Sequence, residues 1–244
     1  MKTLTIIPSR MAATRLPGKP LLKINDLSII SHVLKRAQDA NIGEVYVATE
    51  DQEIADDVKK NGGNAVLTSK NHKTGSDRIY EALQKINIKG VDFVMNLQGD
   101  EPIIDIEDIR SLNKEMINKQ PEMGTLAAII NNVKDLKNEN IVKVITKKKI
   151  YENQFSEAET FLRRATSVDN IYHHIGIYCY SVKTLERFVK LSQTKNEIKN
   201  RLEQLRAIDN NIKINVGYAK SSPIGVDTEE DFIALKKIME YKEK

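Results

Sequence analysis

Three cationic side chains, Arg10, Arg15 and Lys19, fall within ten residues in the stretch Thr5-Ile6-Ile7-Pro8-Ser9-Arg10-Met11-Ala12-Ala13-Thr14-Arg15-Leu16-Pro17-Gly18-Lys19-Pro20. An apolar, β-branched run precedes them and no acid interrupts them. Such a loop at the carboxyl end of a strand offers backbone N–H groups and fixed positive charge to an anion with several oxygens. Gly18 lets the backbone come close to that anion. The chemistry indicated is binding of a phosphate-rich ligand, first of all a nucleotide. The loop carries neither G-x-x-x-x-G-K-[ST] nor G-x-G-x-x-G, so it is neither a P-loop nor a dinucleotide fingerprint.

Carboxylates supply the complementary chemistry. Asn96-Leu97-Gln98-Gly99-Asp100-Glu101-Pro102 comes directly after an apolar run, where an open parallel sheet places its ligands. Either Asp100 or Glu101 could hold Mg²⁺ on a nucleotide phosphate, because this ion takes one or two protein carboxylates and fills its shell with water and phosphate oxygens. The plain alternative is a turn closed by Pro102. Gly225-Val226-Asp227-Thr228-Glu229-Glu230-Asp231 offers a second carboxylate, although acids there also suit a helix amino terminus. Thr74-Gly75-Ser76-Asp77-Arg78 opens a helix with small hydroxyl residues suited to a base or phosphate, or simply to capping. His173 and His174 face opposite sides of a strand and have no company of the kind zinc requires. Glu203, in Leu202-Glu203-Gln204-Leu205-Arg206, reads as exposed or as a pocket wall.

Alternating strands and helices must position these groups. Strands are expected at 3–7, 45–48, 65–67 and 91–96, with helices at 27–40, 52–60, 75–86 and 105–119. That alternation implies a mostly parallel open sheet with right-handed crossovers. The second half has strands at 124–130, 141–146, 171–180 and 212–217, with helices at 182–190, about 195–208 and 228–243. Residues 150–170 read as a loop or short hairpin. The expected organisation is one α/β domain over 1–244, with 150–210 as an inserted lobe.

Composition narrows the function classes. The 244 residues are 40% hydrophobic and 30% charged, with a net charge of +4 from dispersed lysines, so nothing calls for a nucleic-acid partner. Lys147-Lys148-Lys149 is expected in a solvated turn. The single cysteine, Cys179, sits in a strand pattern and reads as a core residue. No apolar stretch approaches a membrane span and the amino terminus lacks signal-peptide features, so a cytoplasmic protein is expected.

Taken together, these segments resemble the 3-deoxy-manno-octulosonate cytidylyltransferase (CMP-KDO synthetase) family. The opening loop, Val47–Glu50, Thr74–Arg78, Asn96–Pro102, His174–Tyr178, Leu202–Arg206 and Gly225–Asp231 occur in the family's order. The resemblance implies a Rossmann-like nucleotidyltransferase fold with a small dimerisation and sugar-binding lobe, in a homodimer. It implies transfer of CMP from CTP to a 3-deoxy-2-keto sugar acid with release of pyrophosphate, for lipopolysaccharide or capsule precursors. By similarity Arg10 and Lys19 hold the triphosphate, and Asp100 and Asp227 hold Mg²⁺. Pro8, Arg15, Thr74, Gly75, Ser76 and Gln98 complete the nucleotide pocket. Arg78, Gln98, Arg164, His174, Tyr178, Glu203 and Gln204 line the sugar pocket. The chain departs from the family pattern at Ser9, at Arg163 (usually serine), at Ser167-Val168 (usually Ile-Pro) and at Glu197–Arg201. The later departures lie in the sugar-binding half and admit an 8-amino-octulosonate or a nonulosonic acid as acceptor. A glycosyltransferase would instead show an Asp-x-Asp motif after a strand, and a non-catalytic nucleotide-binding module would bind CTP without releasing pyrophosphate.

Overall fold

The structure is a computed structural model that describes residues 1–12, 15–166, 169–222 and 225–242. Ala13 and Thr14 of the opening loop, and Ser167-Val168, lie outside the described residues. The chain separates into two compact units: Thr3–Gly90 with Asn96–Ile106 and Pro223–Lys244, and Val91–Met95 with Glu107–Ser222 and the first two residues. The segment 150–210 falls inside the second of these.

The first unit is built on parallel strands. β1 (Lys2–Ser9) is succeeded by a hairpin of β2 (Lys23–Ile24) and β3 (Leu27–Ser28). Helix α1 (Ile29–Ala40), β4 (Val45–Thr49), α2 (Gln52–Lys60), β5 (Asn64–Leu67) and α3 (Gly75–Ile86) come next. β4 lies parallel to both β1 and β5, with Pro8 opposite Ala48 and Thr49 opposite Leu67. The helix expected from residue 27 begins at Ile29. Asn25 and Asp26 both take left-handed φ, 48° and 60°, and close a two-residue hairpin that claims Leu27 and Ser28. Ser28 then caps α1 by accepting the Ser31 N–H at 3.2 Å.

The second unit contains all but the last residue of β6 (Val91–Asn96), all but the first of α4 (Ile106–Lys119), and β7 (Met123–Ala128) and β8 (Lys143–Thr146). β9 (Ser156–Leu162), β10 (Ile171–Ser181), α5 (Val182–Val189), α6 (Lys195–Asn200), α7 (Leu205–Asp209) and β11 (Ile214–Tyr218) complete it. β10 is antiparallel to β7 and β8, β9 is antiparallel to β8 and β11, and β7 and β11 run parallel. Helix α8 (Glu229–Lys242) returns to the first unit.

Two expectations are corrected by this architecture. The segment 150–170 contains a seven-residue strand, β9. Thr146 pairs with Ala158 but Ile145 with Thr160, so one extra residue bulges from β9. That bulge breaks the period of two by which a strand is read. The helix expected over 195–208 is split, because Arg201 takes the left-handed conformation (φ 52°) and ends α6. The basic run Lys147–Lys149 is exposed between β8 and β9, as its charge implied. Cys179 is fully buried in β10, and burial pushes its thiol pKa well above the usual range.

Candidate active site

β1 is apolar and buried from Leu4 to Ile7, and it delivers Pro8 and Ser9 to the rim of a cavity of about 360 Å³. β6 ends at Asn96, and Leu97 N–H bonds Ile6 O at 3.3 Å. The backbone turns at Gln98-Gly99-Asp100 directly beneath Pro8. A Cβ on Gly99 would lie 2.9 Å from Pro8 O, too close for any side chain. Gly99→Ala is therefore expected to push the two loops apart, costing about 1–3 kcal/mol of stability. Urea unfolding of the variant checks this, and wild-type stability would contradict it.

The cations and acids of the sequence motifs meet at this cavity. Its lining includes Pro8, Ser9, Arg10, Arg15, Lys19, Thr74, Gly75, Gln98, Gly99, Asp100 and Asp227, all in the first unit. Lys19 Nζ donates to Asp100 Oδ2 at 2.7 Å, to Val226 O at 2.6 Å and to Asp227 Oδ1 at 3.5 Å. Arg15 pairs with the other oxygen of Asp227 at 3.0 Å. Two carboxylates far apart in the sequence thus face one ammonium. Local folding explains each position. Gly18 takes φ 71° and leads Lys19 into a short 3-10 turn. Met11 N–H bonds Asp51 at 2.7 Å, tying the opening loop to the start of α2. Val226 is buried with Ile24, Ile29 and Leu235, and its N–H bonds Asp100 O at 2.9 Å. Asp231 caps the turn by accepting from the N–H groups of Asp227 and Thr228.

The amino terminus of α3 forms another wall. Thr74 and Asp77 make a capping box, and Thr74 and Gly75 line the cavity. Ser76 is buried in the first helical turn and is not part of the lining. Arg78 does line it, but its guanidinium is held by Glu50 and by Thr68 Oγ1 at 2.6 Å. His72 and Lys73 also line the cavity. Sequence reasoning passed over them, although they directly precede the Thr74-Gly75 motif.

Glu81 organises that stretch by accepting from Ser69 N–H at 2.9 Å, from His72 and from Lys85. Burial alone would raise its pKa, but the bonds from Lys85, Ser69 and His72 outweigh it and hold the carboxyl at about 2 rather than 4.5. A lowered folded-state pKa adds stability that is complete above about 4.5 and disappears as pH falls towards 2. Thermal melts of wild type and Glu81→Gln should therefore differ at neutral pH and converge in acid; a constant gap would refute the assignment.

The remaining predicted residues belong to the second unit. His174 and Tyr178 lie on one face of β10 with ring centroids 5.3 Å apart. Two extra residues, Gly176 and Ile177, bulge between them, because Ile175 pairs with Leu126 and Tyr178 with Thr125. The Thr125 hydroxyl donates to Ile177 O at 2.7 Å, so it accepts from His174 Nε2 at 3.0 Å and leaves Nδ1 as an acceptor. Burial, reinforced by His173, lowers the His174 pKa to about 3, so its ring is neutral at pH 7. A neutral His174 brings no positive charge to its surroundings. Tyr178 carries a buried hydroxyl without a hydrogen-bond partner among the described residues. Its pKa is raised by burial and then by Tyr180 and Glu203. Gln204 is buried, Glu203 half-buried, and Arg164 is exposed with Nε 2.6 Å from Glu139.

Among the described residues no group of three or more His, Cys, Asp or Glu side chains could hold a metal, and no helix is long and apolar enough to cross a membrane. Residues 4–214 match the family model for cytidylyltransferases. A 3-deoxy-manno-octulosonate cytidylyltransferase of Rhodopseudomonas palustris (strain BisB18) is 43% identical over 98% of this chain and 98% of its own. That of Afipia carboxidovorans is 43% identical over 97% and 96%. The solved structure of a CMP:2-keto-3-deoxy-manno-octonic acid synthetase complexed with CTP matches with a TM-score of 0.90 at 31% identity, covering 99% of this chain and 100% of that one. With this mixed α/β nucleotidyltransferase fold and near full-length similarity, the chain belongs to the 3-deoxy-manno-octulosonate cytidylyltransferase family.

Proposed function

We propose that the protein transfers CMP from CTP to the anomeric hydroxyl of 3-deoxy-D-manno-octulosonate and releases pyrophosphate. The observation that carries this reading is the convergence of Asp100 and Asp227 on Lys19 inside a cavity edged by Arg10 and Arg15. Arg10 and Arg15 offer charge to the triphosphate, and Lys19 offers a third cation held at depth. Thr74 and Gly75 place the start of α3 against the nucleotide.

Two hard oxygen donors facing one cationic position fit Mg²⁺, which accepts one or two carboxylates and leaves room for phosphate oxygens and water. Asp100 and Asp227 would hold it, and once bound it would polarise the α-phosphate and neutralise charge on the departing pyrophosphate. With the carboxylates on the metal, Lys19 would be free to pair with phosphate oxygens. No residue need act as a covalent nucleophile, because the sugar hydroxyl attacks phosphorus directly; positioning and charge neutralisation lower the barrier.

The sugar acid is read by His174 and Tyr178 of β10, by Glu203 and Gln204 just before α7, and by Arg164. The Tyr178 hydroxyl lacks a partner among the described residues and suits a polyhydroxylated ligand. Neutral His174 offers Nδ1 as an acceptor, so the carboxylate of the sugar is left to Arg164. We further propose a homodimer in the cytoplasm, serving lipopolysaccharide or capsule precursor synthesis. Light scattering on the purified chain tests the dimer.

The decisive assay incubates the protein with CTP, Mg²⁺ and a panel of 2-keto-3-deoxy sugar acids and measures pyrophosphate. Release with 3-deoxy-D-manno-octulosonate is the expected result. Release only with an 8-amino-octulosonate or a nonulosonic acid would move the acceptor, and CTP binding without release would overturn catalysis.

A further inference from the structure

Arg163 does not line the nucleotide cavity, yet all three of its guanidinium nitrogens are committed. Nε donates to Asn200 O at 2.8 Å, Nη2 to Arg201 O at 2.9 Å and Nη1 to Glu139 O at 3.0 Å. The first two carbonyls end α6, where the helix leaves its last carbonyls without intrahelical donors. A guanidinium there satisfies them and complements the partial negative charge of the helix end. The third carbonyl belongs to the loop that carries Glu139, whose carboxylate pairs with Arg164.

The base of Arg163 is fixed as well. Its carbonyl accepts from the fully buried Lys143 Nζ at 2.5 Å, and the same ammonium takes Asn138 O and Ile141 O, each at 2.7 Å. Arg163 is therefore held at both ends, with little freedom to let α6 drift.

The segment beyond α6 gives this latch its meaning. Arg201 is left-handed, a conformation that a non-glycine residue keeps only when its surroundings hold it. The next three residues are Leu202, Glu203 and Gln204. On the far side of that segment the buried Arg206 guanidinium grips Glu197 of α6 at 2.6 and 2.9 Å. The Glu203-Gln204 segment thus hangs between two arginine clamps, one on each side.

We infer that Arg163 is a positioning residue for the sugar acid: it sets the Arg201 turn and, through it, the placement of Glu203 and Gln204. This rests on the reading that those two residues line the sugar pocket. Arg163→Ser removes all three bonds, since serine cannot reach any of the carbonyls. The expected result is a KM for the sugar acid raised about tenfold, which corresponds to a loss of about 1.4 kcal/mol, with the KM for CTP and kcat within about twofold of wild type. Arg163→Lys keeps the charge but not the planar fork, and should fall between the two. An unchanged sugar KM in folded Arg163→Ser overturns the inference. So does a parallel rise in both KM values, which would mark a purely structural part.

Should Arg163→Ser fail to fold, Arg163→Lys carries the same test: a selective rise in sugar KM supports positioning, and none refutes it. Glu203→Gln, assayed alongside, separates the two kinds of failure. If it leaves the sugar KM unchanged, the pocket reading is wrong and the positioning inference falls with it. If it raises that KM while the Arg163 variants do not, only the positioning inference is lost.

Discussion

Asp100→Asn is expected to keep its fold and to lose turnover by about 100-fold or more, with the KM for CTP moving far less. The fold survives because Asp100 is one-third exposed on a loop and contributes to no hydrophobic cluster. Turnover falls because the substitution removes half of the paired negative charge that faces Lys19. Asparagine preserves shape and one acceptor oxygen, so the loss reports charge rather than size. The proposed Mg²⁺ site gives a second readout. The concentration that half-saturates turnover should rise in Asp100→Asn and in Asp227→Asn, because each keeps one carboxylate. Steady-state pyrophosphate release across a Mg²⁺ titration measures both quantities. Near-normal turnover at ordinary Mg²⁺ would remove Asp100 from the chemistry.

Arg206→Met is expected to cost about 3–5 kcal/mol of folding stability, the range for stripping one partner from a buried ion pair. Arg206 and Glu197 are almost fully buried, and the pair is bidentate. The guanidinium also lies over the Phe188 ring, 4.8 Å from its centroid. Burial by itself would raise the Glu197 pKa, but bonds from Arg206, Gln193 and the Thr194 N–H outweigh it and keep the carboxyl ionised. Removing Arg206 strands that charge. For a chain of this length the thermal midpoint should drop by about 10 °C. Adding Glu197→Gln should recover part of the loss, since the pair costs desolvation that an uncharged partner does not. Urea unfolding of the two single variants and the double measures the coupling. Additive losses would show that the two side chains do not depend on each other.

Much of the first unit was legible in the residues. Its strands end in apolar, β-branched runs and its helices are capped by Ser28 and Thr74, so local preference and tertiary role agree. The nucleotide motifs were legible for the same reason: they sit where chain direction changes, at strand ends and helix starts. Reading failed where the chain departs from regular periodicity. The bulge in β9 and the left-handed Arg201 both interrupt a pattern without a glycine or proline to announce it. His72 and Lys73 were missed because nothing in their types separates a cavity wall from an exposed loop.

Residue types and their order were enough to establish that this chain carries a cationic loop, two separated carboxylates and a strand–helix alternation, because each of these is written within a few consecutive residues. Folding alone decided that Asp100 and Asp227 would meet at Lys19, that His174 would be uncharged, and that Arg163 would spend its charge on backbone carbonyls. Those outcomes depend on distance and desolvation between residues far apart in the chain, and neither quantity exists until the backbone has brought them together.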